Sequence, residues 1–237
     1  MESTYNLANG RTLVIKQDED SMNPRKDCEP FGTFAGGHHR YDIFDVEIED
    51  VYDLAREVAK TCGQKDGSFL NRALEDERIG QEAILNKIEK VAVLLPVYMY
   101  DHSGITIATT PFSCRWDSGQ VGWIFVTKDK IRNEYGVKNI TKKTVDRMRW
   151  YLNGEIKVLD AYVRGAVYGY RILDAEGEDE ESCWGFFGNN ILLNGIVDGL
   201  VDEDEKLVRK EASKWERLEE KSENEERRRF RSHKRRS

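Results

Sequence analysis

The middle of the chain carries the clearest pattern of apolar and polar positions. Residues 91–100, VAVLLPVYMY, form an apolar run that predicts a buried strand, in which Pro96 requires an edge position or a bulge. Residues 104–109 and 121–127 predict its antiparallel neighbours, because the connections between the three runs are too short for helical crossovers. The pattern therefore predicts a three-stranded antiparallel meander.

Apolar residues at helical spacing predict five helices, over 49–62, 81–89, 128–135, 142–161 and 189–200. In the longest, Thr141 is the predicted N-cap, and the apolar stripe consists of Val145, Met148, Leu152, Ile156 and Leu159. Further strands are predicted over 11–17 and 166–173, with a hairpin partner near 182–188 and one or two short strands within 33–46.

The last part of the chain differs in kind from the rest. From Asp202 to about Arg229 it is mostly Glu, Lys and Arg, with a sparse apolar seam of Leu207, Val208, Ala212, Trp215 and Leu218. Such a helix buries one narrow stripe. We therefore predict an α+β fold: a single globular domain over 1–200 with an antiparallel sheet flanked by helices, a charged amphipathic helix over 201–226, and a basic tail over 227–237.

The charge of the chain is unevenly distributed. Its net charge is −7, yet the last eleven residues carry +7, so the remaining 226 carry −14. An acidic body repels nucleic acid, whereas an Arg-rich tail binds phosphate backbones or an acidic partner. The alternative is a disordered tail that only aids solubility. The six arginines of the tail are Arg227, Arg228, Arg229, Arg231, Arg235 and Arg236.

Several classes of protein are disfavoured by the composition. No apolar run approaches the roughly 18 residues that span a bilayer, and the first residues lack the apolar segment of a signal peptide. The four cysteines are scattered without a C-x-x-C pair, which argues against a disulfide framework and against structural zinc, and favours the cytoplasm. Nucleotide-binding glycine loops and hydrolase or metalloprotease motifs are absent from the sequence, so no cofactor is expected.

The segment DHSG, residues 101–104, has two interpretations. As a hairpin connection, it uses Asp101 to bond forward to its own backbone and Gly104 to supply a positive φ, which leaves His102 unexplained. As a reactive site, it needs partners, and the loop 111–120 offers Asp117 and Ser118. Consecutive loops of a meander lie at opposite sheet ends, about 17–20 Å apart. A composite Ser–His–Asp site therefore requires that loop to fold back.

A second candidate lies at GGHHRYD, residues 36–42. His38 and His39 are adjacent, so on a strand they point to opposite faces and cannot bind one metal together. One of them can still join His102 and a carboxylate, Asp101 or Asp45, in a two-His-one-carboxylate site. The alternative is ordinary hydrogen bonding to neighbouring loops.

Four stretches share a pattern: NPR…GTF…HHRYD…F…D (23–45), LPVYMYDHSGITI (95–107), PFSCRWDSGQVGWIFVTKDKIRNEYG (111–136) and SCWGFFG (182–188). Together they resemble a family of small uncharacterised proteins that are associated with bacteriophages and other mobile elements. The resemblance covers most of 12–200, and PFSC-x-WDSGQVG is its most specific part. Phe44 stands where the family pattern has Gly. The family has no established activity, so the resemblance implies a setting and a set of matched positions. These are Pro24-Arg25, Thr33, His39-Arg40-Tyr41, Asp101–Gly104 and Trp116–Gln120.

Three functions fit the sequence. The first is an accessory binding protein of a phage or mobile element, which acts in the host cytoplasm on a host protein or protein–nucleic-acid complex, such as a defence nuclease. The second is a hydrolase of phosphodiesters or nucleotides that uses His39, Asp101 and His102. The third is a structural module without catalysis. Besides the tail arginines, the expected binding residues are Arg25, Arg40, Tyr41, Ser103, Trp116, Asp117, Ser118 and Gln120.

Overall fold

The computed structural model describes residues 2–76 and 78–214. The described residues form two compact units, one within residues 22–164 and one of residues 2–21 together with 165–214. Each unit contains one sheet, and the predicted α+β class is confirmed. Within the described residues, no helix is both long and apolar enough to cross a membrane.

The strands are β1 (Glu2–Asn6), β2 (Thr12–Gln17), β3 (Thr33–Gly36), β4 (Val46–Glu47), β5 (Ala92–Asp101), β6 (Ile105–Ala108), β7 (Ser118–Thr127), β8 (Val167–Leu173) and β9 (Asp179–Phe187). The helices are α1 (Val51–Thr61), α2 (Gln64–Leu74), α3 (Gln81–Val91), α4 (Lys128–Tyr135) and α5 (Lys142–Val163). Short 3₁₀ helices cover Ala8–Gly10 and Val197–Gly199, and helical backbone continues over 202–214.

The unit of residues 22–164 is a five-stranded sheet with helices on both faces. Its strand order is β4-β3-β7-β5-β6, and all pairs are antiparallel except β3 with β4. Side chains alternate between the faces, so Leu94 and Phe125 pack with α1–α3, whereas Val93 and Ile124 pack with α5. The period of two in the sequence thus builds two separate cores on one sheet.

Antiparallel pairing of the three central strands is confirmed, but their path is not that of a simple meander. β5 lies between β6 and β7, and the four-residue β6 ends after pairing Tyr98 with Ala108. The chain then crosses over and returns, so that Tyr100 pairs with Ser118 at the end of β5. The register shifts next to Val97, and Pro96 lies before the β5–β6 pairing begins, as the missing N–H requires.

Helix α5 follows the sequence closely. The Thr141 hydroxyl accepts a hydrogen bond from the Thr144 N–H at 3.2 Å, which confirms the predicted N-cap. The predicted stripe is buried at Met148, Leu152, Ile156 and Leu159. α5 therefore packs its buried stripe on the face of the sheet at β5, β6 and β7.

The other unit contains a four-stranded antiparallel sheet in the order β1-β2-β8-β9, which confirms the predicted strands and hairpin. In the helical segment 202–214, Val208 and Ala212 of the predicted seam are buried, whereas Leu207 is 41% exposed and does not belong to the buried stripe. The rest of the predicted helix, with Trp215 and Leu218, and the whole basic tail lie outside the described residues.

The predicted helix over 189–200 is wrong. The segment forms turns and the short 3₁₀ helix, and its polar groups bond locally. The Asn190 side chain accepts from the Leu192 N–H at 2.9 Å, and Gly195 has φ +100°. Asn and Gly offer the backbone alternatives to the helix, which apolar spacing alone does not reveal.

One buried ion network joins distant parts of the 22–164 unit. The Arg25 side chain is only 3% exposed and forms ion pairs with Asp45 and Glu155. Its guanidinium also donates to the Gly32 carbonyl at 2.8 Å. Burial alone lowers the pKa of Arg25, but the hydrogen bonds and charges of Asp45 and Glu155 outweigh it, so the pKa is raised.

The two carboxylates of this network also hold backbone N–H groups. Asp45 accepts from the Phe34 N–H at 2.7 Å, and Glu155 accepts from the Phe31 and Gly32 N–H groups at 2.9 and 3.0 Å. Arg25 thereby fixes the entry to β3 against α5. We expected Arg25 among the binding residues, but it is buried and bound to the chain's own groups.

We predict that Arg25→Met lowers the free energy of unfolding by about 3–5 kcal/mol, because it leaves two carboxylates without their buried cation. Urea unfolding at pH 7 measures the change. The control is Lys26→Met, which removes an exposed ion pair with Asp42 and should leave stability unchanged. Equal stability of the two variants would contradict a structural role for the network.

Candidate functional site

Three connections of the 22–164 unit converge at the C-terminal end of β5. They are the segment after β3, the β5–β6 turn, and the end of the long connection into β7. Contacts between them define a loop cluster, which consists of His38–Tyr41, Asp101–Ser103 and Cys114–Ser118. Most residues that the sequence singled out are therefore neighbours.

Asp101 is the centre of this loop cluster. Its carboxylate binds Arg40 Nη2 at 2.5 Å and accepts from the Tyr41 hydroxyl at 3.3 Å. The hairpin interpretation expected the Asp101 carboxylate to accept a hydrogen bond from the backbone of its own turn, but its partners are Arg40 and Tyr41. Instead, the His102 N–H donates to the Gly104 carbonyl at 3.0 Å, and Gly104 has the predicted positive φ of +143°. Ser103 also has a positive φ, +57°.

His102 and Asp117 come together, although the meander geometry placed them at opposite sheet ends. His102 Nδ1 lies 3.5 Å from Asp117 Oδ2, and the Asp101 N–H donates to the Asp117 carbonyl at 2.9 Å. The expected separation is wrong because β6 is short and its connection folds back. The ring of Phe112 lies against that of Tyr100, with centroids 5.8 Å apart, on this return path.

The order of groups around Asp117 limits its chemistry. Cys114 Sγ lies 3.6 Å from the same oxygen that His102 approaches, so the carboxylate stands between the thiol and the imidazole. In a nucleophile–base–orienter relay, the base occupies the middle position and the carboxylate the outer one. The side chains of His102 and Asp117 are also 65% and 41% exposed. This arrangement does not build a catalytic triad.

The two adjacent histidines do not point to opposite faces. β3 ends at Gly36, so His38 and His39 lie in a bend, with ring centroids 4.6 Å apart. His38 also stacks on Tyr41 at 5.0 Å, and its Nδ1 accepts from the Arg40 N–H at 3.3 Å. Thus His38, rather than the expected His39, connects this segment to Asp101 through Tyr41.

The remaining predicted residues have varied surroundings. The Ser118 hydroxyl donates to the Cys114 carbonyl, and the Gln120 side chain donates to the Gly122 carbonyl at 3.2 Å. Trp116 is 97% exposed. In the part of the chain that the structure describes, no three His, Cys, Asp or Glu side chains are grouped to hold a metal ion. The tail arginines lie outside the described residues.

A cleft of about 790 Å³ lies elsewhere in the same unit, and no sequence motif pointed to it. It is lined by the α1–α2 junction and α4, where Asp129 accepts from the Gly63 N–H at 2.7 Å and from Arg132 at 2.6 Å. Burial, Asp129 and Asp66 raise the pKa of Cys62 to about 11. The thiol is therefore protonated at neutral pH and is a poor nucleophile.

Comparison with protein-family models, with curated proteins and with solved structures gives no match to this chain. The resemblance to phage and mobile-element proteins therefore stays a prediction. A function for the chain is inferred below from its side chains and their geometry.

We predict that His38 titrates below the reference value of about 6.5. Burial lowers the pKa of His38, as do His39 and Arg40, whereas Asp101 raises it. Below about pH 6.5 the unfolded state binds this proton first, so the stability that His38 contributes is present above that pH and lost below it. Titration of the ring signals by NMR measures the pKa.

The variant Arg40→Gln should raise the pKa of His38, because it removes a nearby cation and frees the Asp101 carboxylate. Arg72→Gln, an exposed arginine on α2, is the control and should leave the pKa unchanged. A pKa that stays the same or falls in Arg40→Gln would contradict the geometry described for the loop cluster.

Proposed function

We propose that this protein is a non-catalytic binding protein that recognises a protein partner through its loop cluster. The observation that carries the proposal is the 97% exposure of Trp116, which lies between residues that hydrogen bonds hold in place. Trp, Tyr and Arg are the residues that most often dominate binding energy at protein interfaces. The loop cluster offers Trp116 together with Arg40 and Tyr41.

The segment that carries Trp116 is held in place before any partner binds. The Ser118 hydroxyl closes a turn by donating to the Cys114 carbonyl, and the Asp117 carbonyl accepts from the Asp101 N–H. Both bonds flank Trp116 directly. A backbone segment that is already ordered loses less conformational entropy on binding, which favours affinity for a side chain that it presents.

The surroundings of His102 support binding over catalysis. Asp101 is already occupied by Arg40 and Tyr41, and a shallow depression of about 350 Å³ beside His102 is open to solvent. Electrostatic stabilisation of a transition state is strongest where water is excluded. Exposed groups at the tip of a hairpin lack that environment.

The resemblance to phage and mobile-element proteins suggests where such binding occurs. We place the protein in the cytoplasm of a host cell, as an accessory protein whose partner is a host protein or a protein–nucleic-acid complex. A host-defence antagonist fits this description, because it requires a recognition surface and no chemistry. The acidic body is compatible with a basic, nucleic-acid-binding partner.

We predict that Trp116→Ala weakens binding to the partner by about 30-fold, which corresponds to the roughly 2 kcal/mol of an interface hot spot. A photo-crosslinking amino acid at the neighbouring exposed position 115, which keeps Trp116 intact, identifies the partner in host extract. The dissociation constant is then measured with the purified partner and each variant.

The matched control is Leu193→Ala, because Leu193 is 83% exposed and lies outside the loop cluster. It should bind like the wild type, and a crosslinker at position 193 should not capture the same partner. Equal affinity of Trp116→Ala and wild type would overturn the assignment of the interface to the loop cluster.

A second candidate function is hydrolysis of phosphodiesters or nucleotides, which the 3.5 Å approach of His102 to Asp117 favours. A carboxylate beside an imidazole orients it as a general base. The enzyme hypothesis and the binding proposal predict different results for the same variants.

We predict that wild type, His102→Ala and His39→Ala hydrolyse bis(p-nitrophenyl) phosphate and nucleoside triphosphates at the same background rate. His102 is 65% exposed, so its replacement should leave the melting temperature unchanged and the comparison interpretable. A rate that falls at least tenfold in both His102→Ala and Asp117→Asn, with unchanged melting temperature, would establish the hydrolase instead.

A further inference from the structure

A second exposed surface of the 22–164 unit lies on the side of α5 that faces away from the sheet. Trp150, Tyr151 and Tyr135 are 70%, 42% and 40% exposed, and Lys143 and Arg147 are exposed beside them. On α5 these positions are three or four residues apart and therefore share one side, opposite the buried stripe. We call these five residues the α4–α5 face.

The aromatic side chains of this face are close to one another. The ring centroids of Trp150 and Tyr151 are 5.3 Å apart, with the planes at 77°. Burial raises the pKa of Tyr135, Tyr151 raises it further and Arg147 opposes the rise, which means that these three side chains are neighbours. Phe31 extends the group, since its ring meets that of Tyr135 at 6.1 Å.

The charge of this region is opposite to that of the chain as a whole. Residues 137–151 hold five basic side chains and one acidic side chain, whereas the chain carries −7. All five basic side chains are exposed, and within the described residues none forms an ion pair; they are Lys138, Lys142, Lys143, Arg147 and Arg149. Their charge is available to a ligand.

Gly154 is the third feature of this surface. It lies inside α5, where glycine is unfavourable, yet a Cβ at this position would meet nothing within 4 Å. The chain's own packing therefore does not require glycine there. It follows Trp150 and Tyr151 by one helical turn, so the missing side chain leaves the helix backbone open beside the two rings.

We propose that the α4–α5 face binds single-stranded nucleic acid. Bases stack on Trp150 and Tyr151, phosphates lie against Lys143 and Arg147, and Gly154 allows the strand to approach the helix. Exposed aromatic side chains interleaved with cations are the elements of such sites, because every base offers a ring to stack and every nucleotide a negative charge. In a duplex, the bases are already stacked on each other and do not expose those faces.

The test uses the full chain and a fluorescein-labelled dT12 oligonucleotide, with binding measured by anisotropy at 50 mM NaCl. Trp150→Ala should weaken binding about 5- to 160-fold, which corresponds to the roughly 1–3 kcal/mol for loss of one stacking aromatic. Arg147→Gln should weaken binding and make the slope of log K against log salt less steep by about 0.7. Arg72→Gln, an exposed arginine on α2, is the matched charge control and should bind like the wild type.

Gly154→Ala separates binding from folding. The substitution should raise the melting temperature, because alanine favours the helix. It should still weaken dT12 binding, because the added methyl group occupies the space through which the nucleic acid approaches the helix. A structural glycine would give the opposite stability change. The basic tail is the same in every variant, so its contribution cancels in the ratios of affinity.

Several outcomes would overturn the proposal. Wild-type affinity of Trp150→Ala and Gly154→Ala for dT12 would exclude the face as the binding site, as would absence of binding by the wild type. A 12-base-pair duplex that binds as tightly as dT12 would exclude stacking. Poly-glutamate that binds as tightly as dT12, with loss in Arg147→Gln only, would assign the face to an acidic protein surface.

Discussion

The buried pairing of Arg25 with Asp45 and Glu155 is the interaction on which the 22–164 unit depends. A guanidinium that is removed from water must have its charge and its donors matched, and here two carboxylates and the Gly32 carbonyl do so. The same carboxylates accept the backbone N–H groups that lead into β3. One cation thus fixes the first strand of the sheet against its longest helix, and with it the position of the segment that follows β3.

That position makes the loop cluster possible. Because β3 ends at Gly36, the chain turns at His38 and His39 and brings Arg40 to Asp101. Phe44 contributes to the same turn, since its ring lies so close to Gly36 that a Cβ there would meet it at 2.5 Å. The short β6 then lets the following connection return to Asp101 from the other edge of β5. These backbone constraints bring together the three segments of the loop cluster, none of which has a motif that indicates a function by itself.

Helix α5 connects this architecture with both proposed surfaces. Its buried stripe covers the sheet, its Glu155 binds Arg25, and its outer side carries Trp150 and Arg147. Phe31 contacts both the buried network and the exposed aromatic group. Its N–H donates to Glu155, the Lys130 ammonium lies 5.1 Å from the centroid of its ring, and the same ring packs edge-on against Tyr135. Direct contacts through Phe31 therefore link the buried network to the exposed aromatic group. The loop cluster and the α4–α5 face lie on the same 22–164 unit.

The sequence by itself determined the elements whose burial pattern is periodic: the central strands, α5 with its Thr141 cap, and the seam at Val208 and Ala212. The burial pattern of each element repeats every two residues in a strand and every three or four in a helix, so the sequence displays it directly. It failed at 189–200, where Asn190 and Gly195 favour turns, and it placed Asp117 far from His102. It also listed Arg25 among the binding residues, whereas the structure buries this side chain. Only the tertiary structure decided the last two points, because which loop folds back and which cation is buried depend on contacts between residues far apart in the chain.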